Sequence, residues 1–83
     1  MANVVIYTTT YCPYCVRAKD LLKRKGQTYT EINAEDDTVR EEMVTKAGGR
    51  RTVPQIFIGD THVGGFDDLY ALDKAGKLEE MLA

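Results

Sequence analysis

Near the N-terminus Val4, Val5, Ile6, Tyr7 and Thr8 form an almost unbroken run of β-branched and aromatic residues. A run without polar alternation suits a strand covered on both faces, so it predicts a central strand. After it, Pro13 stands where a helix would begin; Cys15, Ala18 and Leu22 follow at spacings of three and four, and Leu21 widens the stripe. Gly26 closes that helix. Thr28 to Asn33 predict a second strand, and Asp36 or Asp37 caps a second helix whose Val39, Met43, Val44 and Ala47 share one face until Gly48-Gly49. Gln55-Ile56-Phe57-Ile58, Gly59-Asp60 and Thr61-His62-Val63 read as strand, tight turn and strand, the turn opening with the glycine that a type II′ hairpin prefers. A last helix opens near Phe66, carries Leu69 and Leu72 inward, and is expected to continue past Gly76 through Leu78, Met81 and Leu82.

The resulting order, βαβαββα, belongs to the α/β class. A strand–helix–strand unit joins parallel strands by a right-handed crossover, and the hairpin adds antiparallel ones. The expected architecture is a four-stranded mixed sheet flanked by helices. The 83 residues are expected to make a single domain, residues 1–83, because a second core would need fewer residues than usually fold alone.

Composition narrows the function classes. With 43% hydrophobic and 29% charged residues the chain is an ordinary globular sequence, neither disordered nor disulfide-dense. A net charge of −2 gives no reason to expect nucleic acid as partner. No apolar run approaches the roughly 18 residues of a membrane span, and no secretory signal is visible, so a cytoplasmic setting is the expectation. Charge is uneven: Arg17, Lys19, Lys23, Arg24 and Lys25 crowd one segment, and Glu31, Glu35, Asp36, Asp37, Glu41 and Glu42 the next. Most of this is read as cations near one helix's end and carboxylates near another's start, as the helix dipole favours.

The chemistry is carried by Cys12-Pro13-Tyr14-Cys15, which holds both cysteines. A two-residue gap at a helix start puts the sulfurs one turn apart, close enough to bridge. So short a loop removes little chain entropy, which makes a structural staple a poor reading. A closed zinc site wants four ligands, whereas the chain offers two sulfurs and the imidazole of His62. Reversible redox chemistry is preferred, with a shared metal or cluster site and an inert pair as the alternatives. The sulfurs are not equivalent. Cys12, at the helix N-terminus, has nearby N–H groups from Tyr14 and Cys15 to stabilise a thiolate, while Cys15 lies on the buried stripe. Cys12 is therefore the expected nucleophile, with a depressed pKa.

Tyr11-Cys12-Pro13-Tyr14-Cys15, Thr52-Val53-Pro54 and Gly64-Gly65-Phe66-Asp67-Asp68 occur in this order, and with them the chain resembles the glutaredoxins, specifically the small bacterial dithiol type. The resemblance spans essentially the whole sequence and implies the thioredoxin fold. It also implies a glutathione-dependent thiol-disulfide oxidoreductase, with Cys12 and Cys15 catalytic, no bound cofactor or metal, and glutathione as cosubstrate. Disulfide-containing or glutathionylated proteins, ribonucleotide reductase among the candidates, are the implied protein partners of a monomer.

The glutathione site implied by the resemblance comprises Tyr14, Thr52, Val53, Pro54, Gly65, Phe66 and Asp67. Pro54 is implied to be cis and to face the cysteines, where the residues alone read as a strand-entry proline. Val53 is implied to pair through its backbone with the tripeptide's cysteine. Near Phe66 and Asp67, backbone N–H groups suit the γ-glutamyl carboxylate and the Asp67 side chain its ammonium; a plain turn with a capping aspartate is the alternative. The chain departs from many relatives in carrying Thr9 where they have lysine, leaving Arg50 or Arg51 as substitute cations for the glycine carboxylate. Tyr7, Tyr29 and Tyr70 are read as packing residues and His62 as exposed. Two rival functions remain: a redoxin reduced by thioredoxin reductase, and a glutathione-dependent iron-sulfur cluster carrier, which Pro13 and Cys15 disfavour.

Overall fold

The computed structural model describes residues 3–83. Four strands, β1 (Val4–Thr8), β2 (Thr30–Asn33), β3 (Gln55–Ile58) and β4 (Thr61–Gly64), form one sheet in the order β2-β1-β3-β4. β1 is central, as its apolar run predicts; it pairs parallel to β2 and antiparallel to β3, and β3 pairs antiparallel to β4. Gly59 has φ +58°, and no non-glycine residue among those described has positive φ, which fits the predicted II′ turn.

The helices α1 (Pro13–Arg24), α2 (Asp37–Lys46), α3 (Phe66–Lys74) and α4 (Leu78–Leu82) supply the covering layers. Ala18, Leu21 and Leu22 of α1 join Val4, Ile6, Ile56 and Ile58 of the sheet and Leu69, Leu78 and Leu82 in the larger core cluster. A smaller cluster gathers Tyr7, Ala34 and Met43, with Val39 and Val44 of α2 packed against it. Asp36, not Asp37, caps α2, its carboxylate accepting from Thr38 N–H at 2.8 Å and Val39 N–H at 3.3 Å.

Two expectations are corrected. β2 begins at Thr30 rather than Thr28. The last helix does not run through Gly76: α3 ends at Lys74, Gly76 takes φ +73°, and the Lys77 N–H turns back to the Leu72 carbonyl at 2.9 Å. That left-handed closure starts a separate helix, yet Leu78 and Leu82 still reach the core.

Leu22 is fully buried. Leu22→Ala is expected to lower stability by about 2–5 kcal/mol, read as a fall in the urea midpoint. Glu31 tests the electrostatics: it accepts from the Thr8 hydroxyl at 2.7 Å and from Lys19 Nζ at 3.0 Å, and these bonds, Thr8 first, hold its pKa below the ordinary 4.5. The unfolded chain binds that proton at higher pH than the folded one, so the stabilisation is complete above the ordinary value and lost as pH falls through the folded one. In Glu31→Gln the drop in urea midpoint between about pH 7 and about pH 3 should be smaller than in the wild type.

Candidate active site

The site forms where β1 hands over to α1. Cys12 is the N-cap of α1, with extended backbone at φ −137°, ψ 99°, and Pro13 occupies the first helical turn, where its missing N–H costs nothing. Cys12 and Cys15 form a disulfide with their Cα atoms 5.2 Å apart. Cys15 is 1% exposed, whereas Cys12 is only half-buried. The Cys15 N–H lies 3.1 Å from Cys12 Sγ, so it is one of the two expected backbone donors that the structure brings to this sulfur. The inequality of the two sulfurs read from sequence therefore has a geometric basis: one is reachable and faces a donor, the other is enclosed.

Opposite the disulfide, the segment before β3 approaches. The Val53–Pro54 peptide bond is cis, and the Val53 carbonyl oxygen lies 3.8 Å from Cys12 Sγ. This segment is held from below by Gln55, whose fully buried amide donates to the Thr52 carbonyl at 2.9 Å and to Thr52 Oγ1 at 3.3 Å. The other end of the amide, Gln55 Oε1, lies 2.7 Å from His62 Nε2. His62 is thus half-buried and stacked on Phe57 at 4.9 Å, not exposed. Burial, and next the positive charge of Arg50, lower its pKa from the ordinary 6.5. Sequence reading missed Gln55; its position, one residue after Thr52-Val53-Pro54 and at the head of a buried strand, was the available signal.

A groove of about 220 Å³ runs beside the disulfide. It is lined on one side by Tyr14, Thr52, Val53 and Pro54, and on the other by Gly65, Phe66, Asp67 and Asp68, with Arg50 between. The structure therefore gathers all seven of the predicted non-cysteine site residues at one cleft. Gly65 is the N-cap of α3 and brings no side-chain cap, leaving first-turn N–H groups without that partner. Asp68 reaches back to the Gly65 N–H at 2.9 Å and pairs with Arg50 Nη1 at 3.1 Å. The Gly65 hydrogen bond, and next the Arg50 bond, lower the Asp68 pKa from the ordinary 3.8 against the opposing effect of burial. Gly64, at φ +117°, leaves the room this arrangement needs, because a Cβ there would collide with the Asp68 carboxylate and lie 2.6 Å from Arg50 Nη1.

The two arginines proposed as substitute cations separate. Arg50 lies in the groove at the α3 end, while Arg51 is bound to Glu41 at 2.9 Å and does not line it. Tyr70 is also not the packing residue expected: it is 45% exposed and stacked on Phe66 at 5.8 Å. Tyr7, by contrast, is buried, and Tyr29 packs partly against the core. Among the described residues no group of three or more His, Cys, Asp or Glu side chains is placed to hold a metal ion.

Chemically, an accessible sulfur at a helix N-terminus, beside an enclosed one within bridging distance, can attack a disulfide and then be released by its neighbour. Comparison with known proteins agrees. The glutaredoxin family model matches residues 4–63. A glutaredoxin of Pseudomonas aeruginosa is 57% identical over 84 aligned positions, covering 100% of this chain and 99% of the relative. The solution structure of a Brucella melitensis glutaredoxin superposes with a TM-score of 0.87 at 55% identity, covering 99% of this chain and 89% of that one. The crystal structure of a buckwheat glutaredoxin–glutathione complex gives a TM-score of 0.88 at 35% identity, covering 98% and 76%. The chain belongs to the glutaredoxin family, and with its Cys12–Cys15 pair it is a thiol-disulfide oxidoreductase.

Proposed function

We propose that the protein reduces protein disulfides and glutathione mixed disulfides with electrons from glutathione. The observation that carries the reading is the groove beside Cys12, which offers a tripeptide a backbone edge at one side and a helix N-terminus at the other. A solved relative, the buckwheat protein, is a complex with glutathione, which supports the same ligand here.

In this reading Cys12 is the nucleophile. The Cys15 N–H at 3.1 Å and the positive end of the α1 dipole favour its thiolate over its thiol. The thiolate attacks one sulfur of the target, forming a mixed disulfide as the old bond breaks and the other sulfur leaves as a thiolate. Cys15 then displaces the remaining target thiol to form the internal bridge, or a glutathione thiolate displaces it directly. Two glutathione molecules reduce the internal bridge, leaving as glutathione disulfide.

The ligand's orientation follows from its own charges. The backbone of Val53, ahead of its cis bond to Pro54, offers hydrogen bonds to the tripeptide's cysteine, whose sulfur then faces Cys12. Unpaired N–H groups at the start of α3, near Phe66 and Asp67, suit the γ-glutamyl carboxylate, with Arg50 adding positive charge at the same end. The exposed Asp67 carboxylate suits the ammonium of that head. Gly65 admits close approach of the ligand, Thr52 and Pro54 shape the opposite wall, and the Tyr14 ring closes over it. Arg50 thereby serves the γ-glutamyl end rather than standing in for the lysine that Thr9 replaces. Disulfide-containing and glutathionylated proteins are the proposed substrates, in a cytoplasmic setting.

The test is turnover of a small glutathione mixed disulfide coupled to glutathione reductase and NADPH. Wild type and Cys15→Ser should both turn over, and Cys12→Ser should fall to background. If neither wild type nor Cys15→Ser turned over while thioredoxin reductase reduced the wild-type bridge, the glutathione reading would be wrong. In the same assay Arg50→Met should raise KM about tenfold with kcat nearly kept, as expected for losing a charge-assisted contact made equally in ground and transition states.

A further inference from the structure

Beside the disulfide, a row of side chains crosses from α1 to α3 on the outside of the protein. Arg17 lies over the Tyr14 ring at 5.4 Å; Tyr14 and Phe66 are 6.3 Å apart; Phe66 and Tyr70 stack at 5.8 Å; and Lys74 lies over Tyr70 at 5.4 Å. Tyr14 and Tyr70 are 54% and 45% exposed, so two large rings of the row stand in water, as Tyr11 beside Cys12 does at 94%. Tyr14 and Phe66 also border the groove, whereas Arg17, Tyr70 and Lys74 do not, so the row extends the site beyond the tripeptide's reach.

The two ends of the row carry its information. Lys19, Lys25, Arg50 and Arg51 are each bound to a carboxylate. Arg17 and Lys74 are not ion-paired among the described residues, a state they share with Lys23, Arg24, Arg40, Lys46 and Lys77, but of these seven only Arg17 and Lys74 are held over an aromatic ring. A cation held over an aromatic face is positioned without being neutralised, so its charge stays available to a third group. The spacing between rings is close to the i, i+2 repeat of an extended chain, about 6.6 Å, so alternate side chains of such a segment would meet successive rings.

We propose that this row is a docking strip for the extended polypeptide carrying the target disulfide, and that it selects segments in which carboxylates flank apolar or aromatic side chains. The inference rests on Cys12 acting as the attacking thiol and deepens the reading above by naming the substrate class. A glutathionylated protein would place the tripeptide in the groove and its own chain along Tyr14, Phe66 and Tyr70, with acidic side chains at Arg17 and Lys74. Attack exchanges one S–S bond for another, the displaced sulfur leaving as a thiolate, so no further oxidant or reductant enters.

The experiment follows consumption of two synthetic peptides by the Cys15→Ser protein. They differ only in carrying glutamates or lysines around a central apolar stretch, and each bears one cysteine as a mercaptoethanol disulfide. The acidic peptide should react about five- to tenfold faster at low salt. The advantage should collapse between about 0.01 M and about 1 M salt, as the screening length falls from about 30 Å to about 3 Å. It should shrink in Arg17→Ser and Lys74→Ser, and Tyr70→Ser should slow both peptides. All three should leave the rate with free mercaptoethanol disulfide unchanged. Equal rates for the two peptides, or an acidic preference untouched by these substitutions, overturn the proposal. So does a wild-type chain that sediments as a dimer and becomes a monomer on Tyr70→Ser, which would give the strip to a second copy. Repeating the series with glutathione in place of mercaptoethanol separates the two readings. If glutathione brings no gain, even on a small disulfide, the tripeptide site fails, while the peptide comparison still decides the strip.

Discussion

The antiparallel register of β1 and β3 is the constraint on which the site depends. With Tyr7 opposite Gln55, the chain leaving β1 and the chain entering β3 lie at the same end of the sheet. The residues after Tyr7 lead into Cys12 and α1, and those before Gln55 are Thr52-Val53-Pro54. The two halves of the site, 41 residues apart in sequence, are thereby brought to a 3.8 Å contact between Cys12 Sγ and the Val53 oxygen. A slip of one residue would turn Ile6 and Ile56 out of the core and carry Cys12 away from Val53, so packing fixes the chemistry.

Polar contacts then refine what the register places. Gln55 has its side chain fully buried at the start of β3 and spends its amide on Thr52 and His62 rather than on water. A buried amide without partners would cost on the order of 1–3 kcal/mol, so this network holds the Thr52 segment to one position as firmly as apolar packing would. Across the groove, Asp68 performs the same service for the start of α3, tying Gly65 and Arg50 together. One wall of the groove is thus set from behind by Gln55, the other by Asp68 and Arg50 within the groove itself.

The fold was largely legible in the sequence because its signals are periodic and local: an unbroken apolar strand, proline and glycine at helix ends, and a Gly59-Asp60 turn. The break at Gly76 was missed because Leu72, Leu78, Met81 and Leu82 keep an inward pattern across it. Burial is the same whether one helix or two carries those residues; only backbone geometry distinguishes them. At the site, the cysteine pair and its inequality could be read from spacing and the helix terminus. Gathering Thr52, Val53, Pro54, Gly65, Phe66 and Asp67 around it could not, since pairing between distant segments leaves no trace in either. His62 and Tyr70 were each misread for the same reason, one covered and one uncovered by residues far along the chain.

What separates the site from the core is where the chain forgoes stability. Gly65 occupies a helix N-cap at which an oxygen-bearing side chain would be worth a few tenths of a kcal/mol more, and its absence leaves first-turn N–H groups open to a ligand. Gly64 holds a backbone angle of +117° that other residues adopt only under strain. Tyr14 and Tyr70 keep ring surface in water that burial would make favourable at roughly 25 cal/mol per Å². Gly65 and Tyr14 line the groove, Tyr14 and Tyr70 belong to the aromatic row and Gly64 adjoins Gly65, while none of these choices falls among Ile6, Leu22, Ile56 and Leu69, which are all fully buried. Local costs of this size are tolerable because a rigid sheet beneath carries them. Together they mark, independently of the cysteines, the face beside the disulfide as one built to be completed by something else.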